Sequence, residues 1–408
     1  MPRNWFDRRL LHVVHKIAGP ARIRMELGTP AKAMSVCRTL PGIHLQGRKT
    51  LIALLLSPEM NFGDLYSDGQ IEVEGDLVRA LEALYQAPDR MITRLISRWL
   101  SWVQSNDLRD ARRNIHHHYD IPTDFYKLWL DPELVYTCAY FPDEQAELEE
   151  AQKAKMDMVC RKLWLRPGEK VVDAGCGWGA LSLYMARHYG VQVKAFNISR
   201  EQIEFARDRA KREALTSRVE FIEDDYRNIA GRFDAFVSVG MLEHVGRENY
   251  RTLGDVIHRT IGDTGRGLLH FIGKNRPQPF SAWIRKRIFP GAYTPAVSEV
   301  RDVLEPNDFS LLDVENLRLH YARTLECWLD RYEQSFDQVA ERFGRNFARM
   351  WRLYLAGSIA GFRVGTLQLF QLVFAGRACN TQPLTRAHLY RDAAERNYQD
   401  VECIRVMS

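Results

Sequence analysis

No uninterrupted apolar run in this 408-residue sequence approaches the roughly 20 residues that a helix needs to cross a bilayer. We therefore expect no membrane-spanning segment, and no apolar stretch suited to a secretory signal follows the basic N-terminus. The seven cysteines lie far apart and form no CxxC pair, which excludes a disulfide scaffold and most structural zinc sites. This cysteine usage favours a reducing cytoplasm.

Charge of one sign is scarce as well, since the formal net charge is only +5, and the total does not mark a nucleic-acid-binding protein. The local exception is the N-terminus, where the first 25 residues carry six basic side chains and Asp7 as the only acid. Apolar and aromatic side chains from Trp5 to Ile17 recur there at helical spacing. The segment is typical of a basic amphipathic helix on an anionic membrane surface, and a helix packed on its own domain fits equally well.

The remaining composition, 46% hydrophobic and 27% charged, is typical of a folded protein, and the length favours two or three domains. We predict a small N-terminal α+β domain over residues 1–103, with a strand at Gln70–Val73 and a helix at Leu77–Tyr85. A polar linker over residues 104–115 then leads to a catalytic domain over residues 116–408.

From about residue 170, apolar strands alternate with helical segments. The predicted strands are Lys170–Ala174, Val191–Phe196, Val219–Ile222, Ala235–Val239 and Gly267–Ile272, and a helix is predicted at Tyr250–Ile261. This alternation predicts an α/β fold with a parallel sheet that is covered by helices on both faces. Ligands of such sheets bind at the carboxyl ends of the strands.

The strongest local motif is the glycine turn Gly175–Gly179, which follows a strand that carries Asp173 near its end. Gly175 and Gly177 permit a tight turn and a close approach of the backbone to a ligand. The spacing is GxGxG, which differs from the GxGxxG of dinucleotide sites. The Asp173 carboxylate suits a cationic or hydroxyl-rich ligand better than a phosphate, and a turn that serves only packing is the alternative.

Polar side chains also follow the next two strands. Asn197 can hydrogen-bond to ribose hydroxyls, and Gln202 either caps the helix that begins near Ser199 or contacts the same ligand. Asp225 and Tyr226 supply a carboxylate and a ring that suit the amino group and the face of adenine. A solvated acidic loop is the alternative for this last pair.

Six segments together resemble one known family. In chain order they are His117–Asp120, Tyr136–Phe141, Gly175–Gly179, Ser238–Gly246, Trp283–Gly291 and Leu319–Leu325. The glycine turn resembles that of S-adenosylmethionine-dependent methyltransferases. The ordered set resembles the cyclopropane-fatty-acyl-phospholipid synthases from about residue 110 to residue 376, and Phe62–Gly69 resembles the small lipid-associated domain of that family only loosely.

The resemblance implies a Rossmann-like class I methyltransferase sheet with helical lipid-site insertions, next to the small N-terminal domain. It also implies a reaction at the inner face of the membrane, in which S-adenosylmethionine gives its methyl carbon to a cis double bond of a phospholipid acyl chain. The resulting carbocation loses a proton to a bound bicarbonate ion, and the cyclopropane ring closes. The implied partners are unsaturated phospholipids and an anionic membrane surface, with no nucleic acid, and a homodimer is left open.

By the same resemblance, the residues that hold the bicarbonate ion and act in catalysis are Cys138, Glu243, His270 and Tyr321, together with the backbone of Ile272. The implied S-adenosylmethionine site comprises Tyr136, Thr137, Asp173, Gly175, Gly177, Gly179, Asn197, Gln202, Asp225 and Tyr226. The residue types fit this chemistry, because a small anion held by directed hydrogen bonds can stabilise a cation and accept its proton. Structural roles remain alternatives: packing for Cys138, a satisfied core histidine for His270 and a helix anchor for Tyr321.

No metal site is expected, because the adjacent side chains of His116–His118 cannot converge on one ion, and we expect a loop that covers the cofactor. Ser358 stands where the family often carries a cysteine, and we expect a packing role there. The loop Gln278–Pro295 is expected to meet lipid or to form a surface lid. Its candidate headgroup contacts are Arg285, Lys286 and Arg287, and its candidate acyl contacts are Phe280, Trp283, Ile284 and Phe289.

Two other functions fit the same motifs. A relative that leaves a branched methyl group on the acyl chain differs only in which proton the carbocation loses. A lipid-binding protein with an inactive methyltransferase domain is the alternative from a different class.

Overall fold

The computed structural model describes residues 23–27, 41–86 and 121–390. Three regions singled out in the sequence lie outside these residues: the basic segment up to residue 22, the linker 104–115 and the histidines at 116–118. The predictions for these regions, and for the domain boundaries that depend on them, stay predictions.

The N-terminal unit is a three-stranded sheet with helices on it. Its strands are β1 (Arg24–Leu27), β2 (Gly42–Leu45) and β3 (Ile71–Glu74), in the order β1-β2-β3, with β2 parallel to β1 and antiparallel to β3. Its helices are α1 (Arg48–Leu56), α2 (Pro58–Ser67) and α3 (Leu77–Gln86). Ile43, Leu45 and Ile71 are fully buried, so alternate apolar residues of the strands build the core of this unit.

The second unit contains a seven-stranded sheet. Its strands are β4 (Lys170–Ala174), β5 (Gln192–Asn197), β6 (Val219–Glu223), β7 (Ala235–Val239), β8 (Arg266–Gly273), β9 (Ser310–Asn316) and β10 (Gln368–Ala375). The spatial order is β6-β5-β4-β7-β8-β10-β9, and the first five strands in this order are parallel. All five correspond to predicted strands. The strand order reverses between β4 and β7, because β5 and β6 are added on one side of β4 and β7 and β8 on the other.

The predicted parallel arrangement holds for five strands, and one edge of the sheet is antiparallel. Strand β10 runs antiparallel to both β8 and β9, and the sequence analysis anticipated neither β9 nor β10. Strand β9 is largely exposed, so it lacks the buried apolar pattern that marks the other strands. Strand β10 is buried along its whole length, and its run of apolar residues follows a long helix directly.

Helices cover the sheet and extend the unit beyond it. They are α4 (Thr123–Tyr126), α5 (Leu148–Lys162), α6 (Ala180–Tyr189), α7 (Arg200–Arg212), α8 (Leu242–Val245), α9 (Tyr250–Ile261), α10 (Ala282–Arg287), α11 (Val297–Leu304), α12 (Arg318–Gln334), α13 (Phe336–Phe343), α14 (Arg345–Val364) and α15 (Ala387–Tyr390). Among the residues described, no helix combines the length and the apolar character that crossing a bilayer requires.

Helices α12 and α14 surround an interior of aromatic side chains. Trp129, Trp328 and Trp351 are almost completely buried, and their rings meet edge to face or tilted at centroid distances of 5.7 and 6.0 Å from Trp129. Such pairs stabilise beyond the area that they bury. The apolar cluster that contains these rings continues into the N-terminal unit, so the two units share one hydrophobic core.

In the segment 278–295, Trp283 and Arg287 contact the N-terminal unit. Trp283 is buried, and its indole Nε1 donates a hydrogen bond to Asp64 of α2 over 3.0 Å. Arg287 binds the same carboxylate with two nitrogens, at 2.9 and 2.7 Å. The predicted acyl contact does not fit the buried Trp283, because an acidic residue of the N-terminal unit holds its indole. Lys286 and Arg287 are both exposed, and their predicted headgroup contacts stay predictions.

Arg349 of α14 joins the two units from a buried position. Its guanidinium donates to the carbonyl oxygens of Tyr66 and Ile71 at 2.7 and 3.0 Å, and it lies 4.3 Å from the centre of the Tyr66 ring. Arg349→Met should lower the free energy of unfolding by about 2–4 kcal/mol, because two buried carbonyl groups lose a charged donor. Urea unfolding followed by tryptophan fluorescence measures this change.

The matched control is Arg345→Met, which replaces an exposed arginine at the start of the same helix. Equal losses of stability in the two variants would contradict a special role of Arg349 between the units.

Candidate active site

A pocket opens at the carboxyl ends of β4, β5 and β7, where the predicted glycine turn lies. All predicted cofactor residues except Gly179 line this pocket: Tyr136, Thr137, Asp173, Gly175, Gly177, Asn197, Gln202, Asp225 and Tyr226. A Cβ atom at Gly179 would lie 2.7 Å from Phe221 and 2.9 Å from Ala206. Gly179 therefore allows α6 to pack closely against its neighbours. At this position the structure fits the alternative of a glycine needed only for packing.

The backbone of the turn is shaped by left-handed glycines. Gly175 and Gly177 have φ angles of +90° and +54°, which side chains of L-residues rarely allow. A Cβ atom at Gly177 would have no neighbour within 4 Å, so this glycine borders open space in the pocket. The amides of Gly175 and Cys176 donate to the carbonyl oxygen of Phe196, and this holds the turn against the end of β5.

Asp173 lies under the turn and is buried. One of its carboxylate oxygens accepts a hydrogen bond from the Ser182 hydroxyl over 2.6 Å. Burial raises the pKa of the Asp173 carboxyl from 3.8 to about 6, although the Ser182 bond and the nearby Lys155 act in the opposite direction. A cationic group in the pocket would therefore find an acid whose ionised form it can stabilise.

Asn197 and Gln202 form a pair at the end of β5. The Asn197 amide donates to the side-chain oxygen of Gln202 over 2.7 Å, and the Ser199 hydroxyl accepts from the Gln202 backbone amide at 3.5 Å. The side-chain oxygen of Asn197, and not that of Gln202, accepts from the Ser199 amide. Ser199 thus caps α7, whereas the Gln202 side chain is directed to Asn197 and the pocket.

Lys155 of α5 is a residue of the pocket that the sequence analysis missed. Its ammonium group is buried and donates to the Thr137 hydroxyl over 3.0 Å, and burial lowers the pKa of Lys155 from 10.5 to about 8. A signal was present in the sequence, since Lys155 lies four residues from both Ala151 and Val159 on the buried face of its helix. Met241 and His244 also line the pocket and were not anticipated.

Glu243 belongs to a second, deeper cluster that begins at α8. Its Oε1 atom accepts a hydrogen bond of 2.6 Å from the backbone amide of Ile272 in β8. Its Oε2 atom is buried and has no partner within the described part of the chain. Burial raises the pKa of this carboxyl from 4.5 to about 7. The Ile272 amide, which the sequence analysis assigned to an anion, therefore serves the Glu243 carboxylate in this structure.

His270 lies two residues before Ile272 on β8. Its Nδ1 atom is 3.0 Å from the side-chain nitrogen of Gln371, and its Nε2 atom is buried without a partner among the residues that the structure describes. Burial keeps the pKa of His270 well below its usual value, so the imidazole is neutral. A satisfied core histidine would have used both nitrogens, so the structural alternative does not account for Nε2.

Cys138 and Tyr321 complete the cluster. Cys138 is fully buried, its thiol donates to the Ala139 carbonyl over 3.1 Å, and burial raises the pKa of that thiol well above its usual value. Burial also raises the pKa of Tyr321, with added effects from its neighbours Tyr354, Cys138 and Glu243. Burial therefore favours the protonated thiol of Cys138 and the protonated phenol of Tyr321. Ser358 lies half-buried on α14 and does not line the pocket.

No group of three or more His, Cys, Asp or Glu residues suited to a metal ion occurs within residues 23–27, 41–86 and 121–390. The polar groups of the cluster instead include one open acceptor or donor on Glu243 and one open nitrogen on His270. This set is suited to a small polar ion or to a proton transfer.

The fold and the two polar sites define an enzyme of the methyltransferase class with a class I methyltransferase fold. A family model described as mycolic acid cyclopropane synthetase matches residues 106–372, and the chain belongs to this family. The inactive lipid-binding alternative is therefore not retained.

Two curated relatives and one solved structure illustrate the similarity. The chain is 39% identical over 259 residues to the cyclopropane-fatty-acyl-phospholipid synthase of Escherichia coli K12, which covers 63% of this chain and 66% of that protein. It is 34% identical over 365 residues to a probable fatty acid methyltransferase of Pseudomonas putida, and the match covers 84% of this chain and 89% of that protein. The cyclopropane synthase MmaA2 of Mycobacterium tuberculosis superposes with a TM-score of 0.62 at 29% identity, over 65% of this chain and 98% of that one.

The buried Glu243 carboxyl should make stability depend on pH. Because its pKa is raised in the folded state, the folded protein binds more protons than the unfolded chain between pH 4.5 and about 7, and stability falls as pH rises through this window. Glu243→Gln cannot ionise, so it should gain stability relative to the parent protein between pH 5 and pH 8. The gain is up to about 3 kcal/mol, since one pKa unit corresponds to about 1.4 kcal/mol.

Urea unfolding at pH 5 and pH 8 measures this difference. Glu150→Gln, at an exposed position of α5, is the matched control and should follow the parent protein at both pH values. If the stability of Glu243→Gln runs parallel to that of the parent protein at both pH values, the buried acid does not titrate as described.

Proposed function

We propose that this protein transfers the methyl carbon of S-adenosylmethionine to the cis double bond of unsaturated acyl chains in membrane phospholipids and closes a cyclopropane ring. One observation carries the proposal: two short segments connect the glycine-turn pocket to the deeper polar cluster. Thr137 lines the pocket and Cys138 belongs to the cluster, and Met241 and His244 line the pocket around Glu243 of the cluster. A methyl group bound in the pocket would thus lie beside a water-excluding polar cluster.

The pocket is suited to S-adenosylmethionine. Asp173 and the open backbone at Gly177 suit the charged methionine part, and the Asn197–Gln202 pair suits ribose hydroxyls. Asp225 and Tyr226 offer a carboxylate and a ring to adenine. The mycolic acid cyclopropane synthase CmaA1, with a TM-score of 0.61 and 30% identity over 64% of this chain and 97% of that one, was solved in complex with SAH and CTAB.

The surroundings of the cluster fit a reaction that passes through a carbocation. Attack of the alkene on the methyl group leaves a positive charge on the acyl chain, which a strong nucleophile would trap. The Cys138 thiol and the Tyr321 phenol are held protonated by burial, so neither competes. Tyr136, Trp328 and Phe362 lie in the same apolar cluster as Tyr321 and exclude water from it.

The open atoms of Glu243 and His270 fit a bicarbonate ion. Bicarbonate, when bound, would supply an acceptor for the proton that the new methyl group loses. The His270 imidazole can donate to such an ion, and the Glu243 Oε2 atom can accept from its hydroxyl group. The Ile272 amide contributes by holding the Glu243 carboxylate in place.

A phospholipid substrate requires the enzyme to work at a membrane surface, and we place it as a peripheral protein on the cytoplasmic face. The basic N-terminal segment and the exposed Lys286 support an attraction to anionic lipid, worth about 1 kcal/mol per basic residue near the surface. Sedimentation with anionic vesicles should therefore fall as the salt concentration rises. Sedimentation that changes with neither the lipid charge nor the salt concentration would contradict an electrostatic attraction to the membrane.

A branched-methyl product is the second candidate. The observation that favours it is the similarity to the probable fatty acid methyltransferase of Pseudomonas putida and, at 33% identity over 336 residues, to the tuberculostearic acid methyltransferase UfaA1 of Mycobacterium tuberculosis. The two products arise from the same carbocation and differ in the proton that is lost.

Incubation with methyl-labelled S-adenosylmethionine and vesicles of a cis-monounsaturated phospholipid tests the function. Mass spectrometry should find acyl chains that are heavier by one CH2 group, and NMR should show cyclopropane protons at high field. A branched chain of the same mass change would support the second candidate, and unlabelled lipid would refute both.

Gly177→Val should weaken S-adenosylmethionine binding at least about tenfold, or about 1.4 kcal/mol, because its side chain enters the pocket. The matched control is Gly168→Val, since Gly168 also has a positive φ and open surroundings but does not line the pocket. Both variants pay a similar backbone strain of about 1–2 kcal/mol. Calorimetric titration separates them, and equal affinities in the two variants would refute the assignment of the pocket.

Removal of bicarbonate from the reaction should slow the parent enzyme, and its return should restore the rate. With or without bicarbonate, Glu243→Gln should be about a hundredfold slower than the parent enzyme supplied with bicarbonate, because the variant loses one directed contact to the proton-accepting ion. Its affinity for S-adenosylmethionine should be unchanged, and Glu150→Gln should behave as the parent enzyme. Full activity of carbonate-depleted parent enzyme would reject the bicarbonate proposal and leave Glu243 itself as the candidate base.

A further inference from the structure

Three strands of the sheet align His270, Gln371 and Glu315 in one row. The register pairs His270 of β8 with Gln371 of β10, and Gln371 with Glu315 of β9. Directly paired residues point to the same face of a sheet, so the three side chains are neighbours. Lys162 is the last residue of α5, and its side chain lies against this row. Both Lys162 and Gln371 are buried.

Lys162 contacts two members of the row. Its ammonium group forms an ion pair with Glu315 and donates to the side-chain oxygen of Gln371 over 2.6 Å. An ammonium group can only donate, so it determines that the oxygen of the Gln371 amide faces Lys162. The amide nitrogen must then face His270, where it lies 3.0 Å from Nδ1.

The direction of the last hydrogen bond determines the tautomer of the histidine. The Gln371 amide nitrogen can only donate, so Nδ1 of His270 must accept and carries no proton. The single proton of the neutral ring is then on Nε2, which is the buried atom without a partner among the described residues. The row thus turns Nε2 into a hydrogen-bond donor.

We propose that Lys162 and Gln371 are positioning residues that hold His270 in its Nε2–H tautomer and so present a donor to the anion of the methyl-transfer reaction. The tautomer follows from contacts within the chain, whereas its use toward an anion rests on the proposed function. Neither Lys162 nor Gln371 lines the cofactor pocket. Their effect should therefore fall on anion binding and not on S-adenosylmethionine binding.

Gln371→Glu changes the hydrogen-bond direction with almost no change in size. A carboxylate can still accept from Lys162, but it also accepts from His270, so Nδ1 should gain a proton. Gln371→Met removes the donor without adding a charge, and His270 should then lose its preference for one tautomer. Gln368→Glu is the matched control, because Gln368 is a buried glutamine of the same strand that bonds to Gly365 and Asn316 and not to His270.

Nitrogen NMR of the protein labelled with [15N]histidine tests the tautomer without any ligand. The His270 signals are assigned by their loss in His270→Gln, and thermal unfolding verifies that each variant is folded. We expect a protonated Nε2 in the parent protein and in Gln368→Glu, and a protonated Nδ1 in Gln371→Glu. A protonated Nδ1 in the parent protein, or an unchanged His270 in Gln371→Glu, would overturn the proposal.

Steady-state kinetics then tests the use of this donor. The bicarbonate concentration for half-maximal rate should rise about ten- to hundredfold in Gln371→Glu, as expected for one lost hydrogen bond to a charged group. The dissociation constant of S-adenosylmethionine should not change. An Nε2–H tautomer in an enzyme that shows no bicarbonate dependence would refute the proposed anion alone. Bicarbonate dependence with the opposite tautomer would refute the positioning role alone.

Discussion

The hydrogen bond from the Ile272 amide to the Glu243 carboxylate holds together the part of the molecule on which the proposed chemistry depends. It connects α8, which follows β7, to the neighbouring strand β8, and the amide of Gly240 donates to the His270 carbonyl just beside it. The carboxylate is thereby kept in an interior where water cannot compensate its charge. Because one oxygen is satisfied and the other is not, the interaction leaves a polar atom available for a reaction. Burial raises the pKa of the acid, and the Ile272 bond offsets part of that rise.

The surrounding structure maintains this arrangement from several directions. The carbonyl group of Glu243 accepts from the amide of Tyr293, and Phe289 packs against both His244 and Tyr354. Phe289 and Tyr293 belong to the segment that α2 of the N-terminal unit holds through Asp64. The contacts of Asp64 with Trp283 and Arg287 thus support the walls of the cluster, which gives the small unit a structural role in the proposed site.

Charges of both signs lie in and beside the cofactor pocket. Lys155 is a buried cation near Asp173 and Asp131, and burial raises the pKa of Asp131 and of Asp173 to about 6 while it lowers that of Lys155 to about 8. Each group would be costly to bury alone, and their proximity offsets part of that cost. A positively charged methyl donor would enter a pocket lined by Asp173, Asp224 and Asp225 and by the cations Lys155 and Arg227.

The sequence alone determined most of the parallel strands and the position of the glycine turn. Apolar runs predicted β4 to β8 within a few residues, and the spacing of Gly175 and Gly177 identified the turn of the pocket, because strand burial and left-handed backbone leave local signatures. The sequence could not separate Gly177 from Gly179, nor place Trp283, since open space at one glycine and a partner at Asp64 depend on residues far along the chain. The antiparallel edge, the buried Lys155 and the row from Glu315 to His270 were likewise decided only by tertiary structure. The edge depends on which strands pair, the row on the direction of hydrogen bonds, and Lys155 on the burial of a charge. None of these exists until distant segments meet.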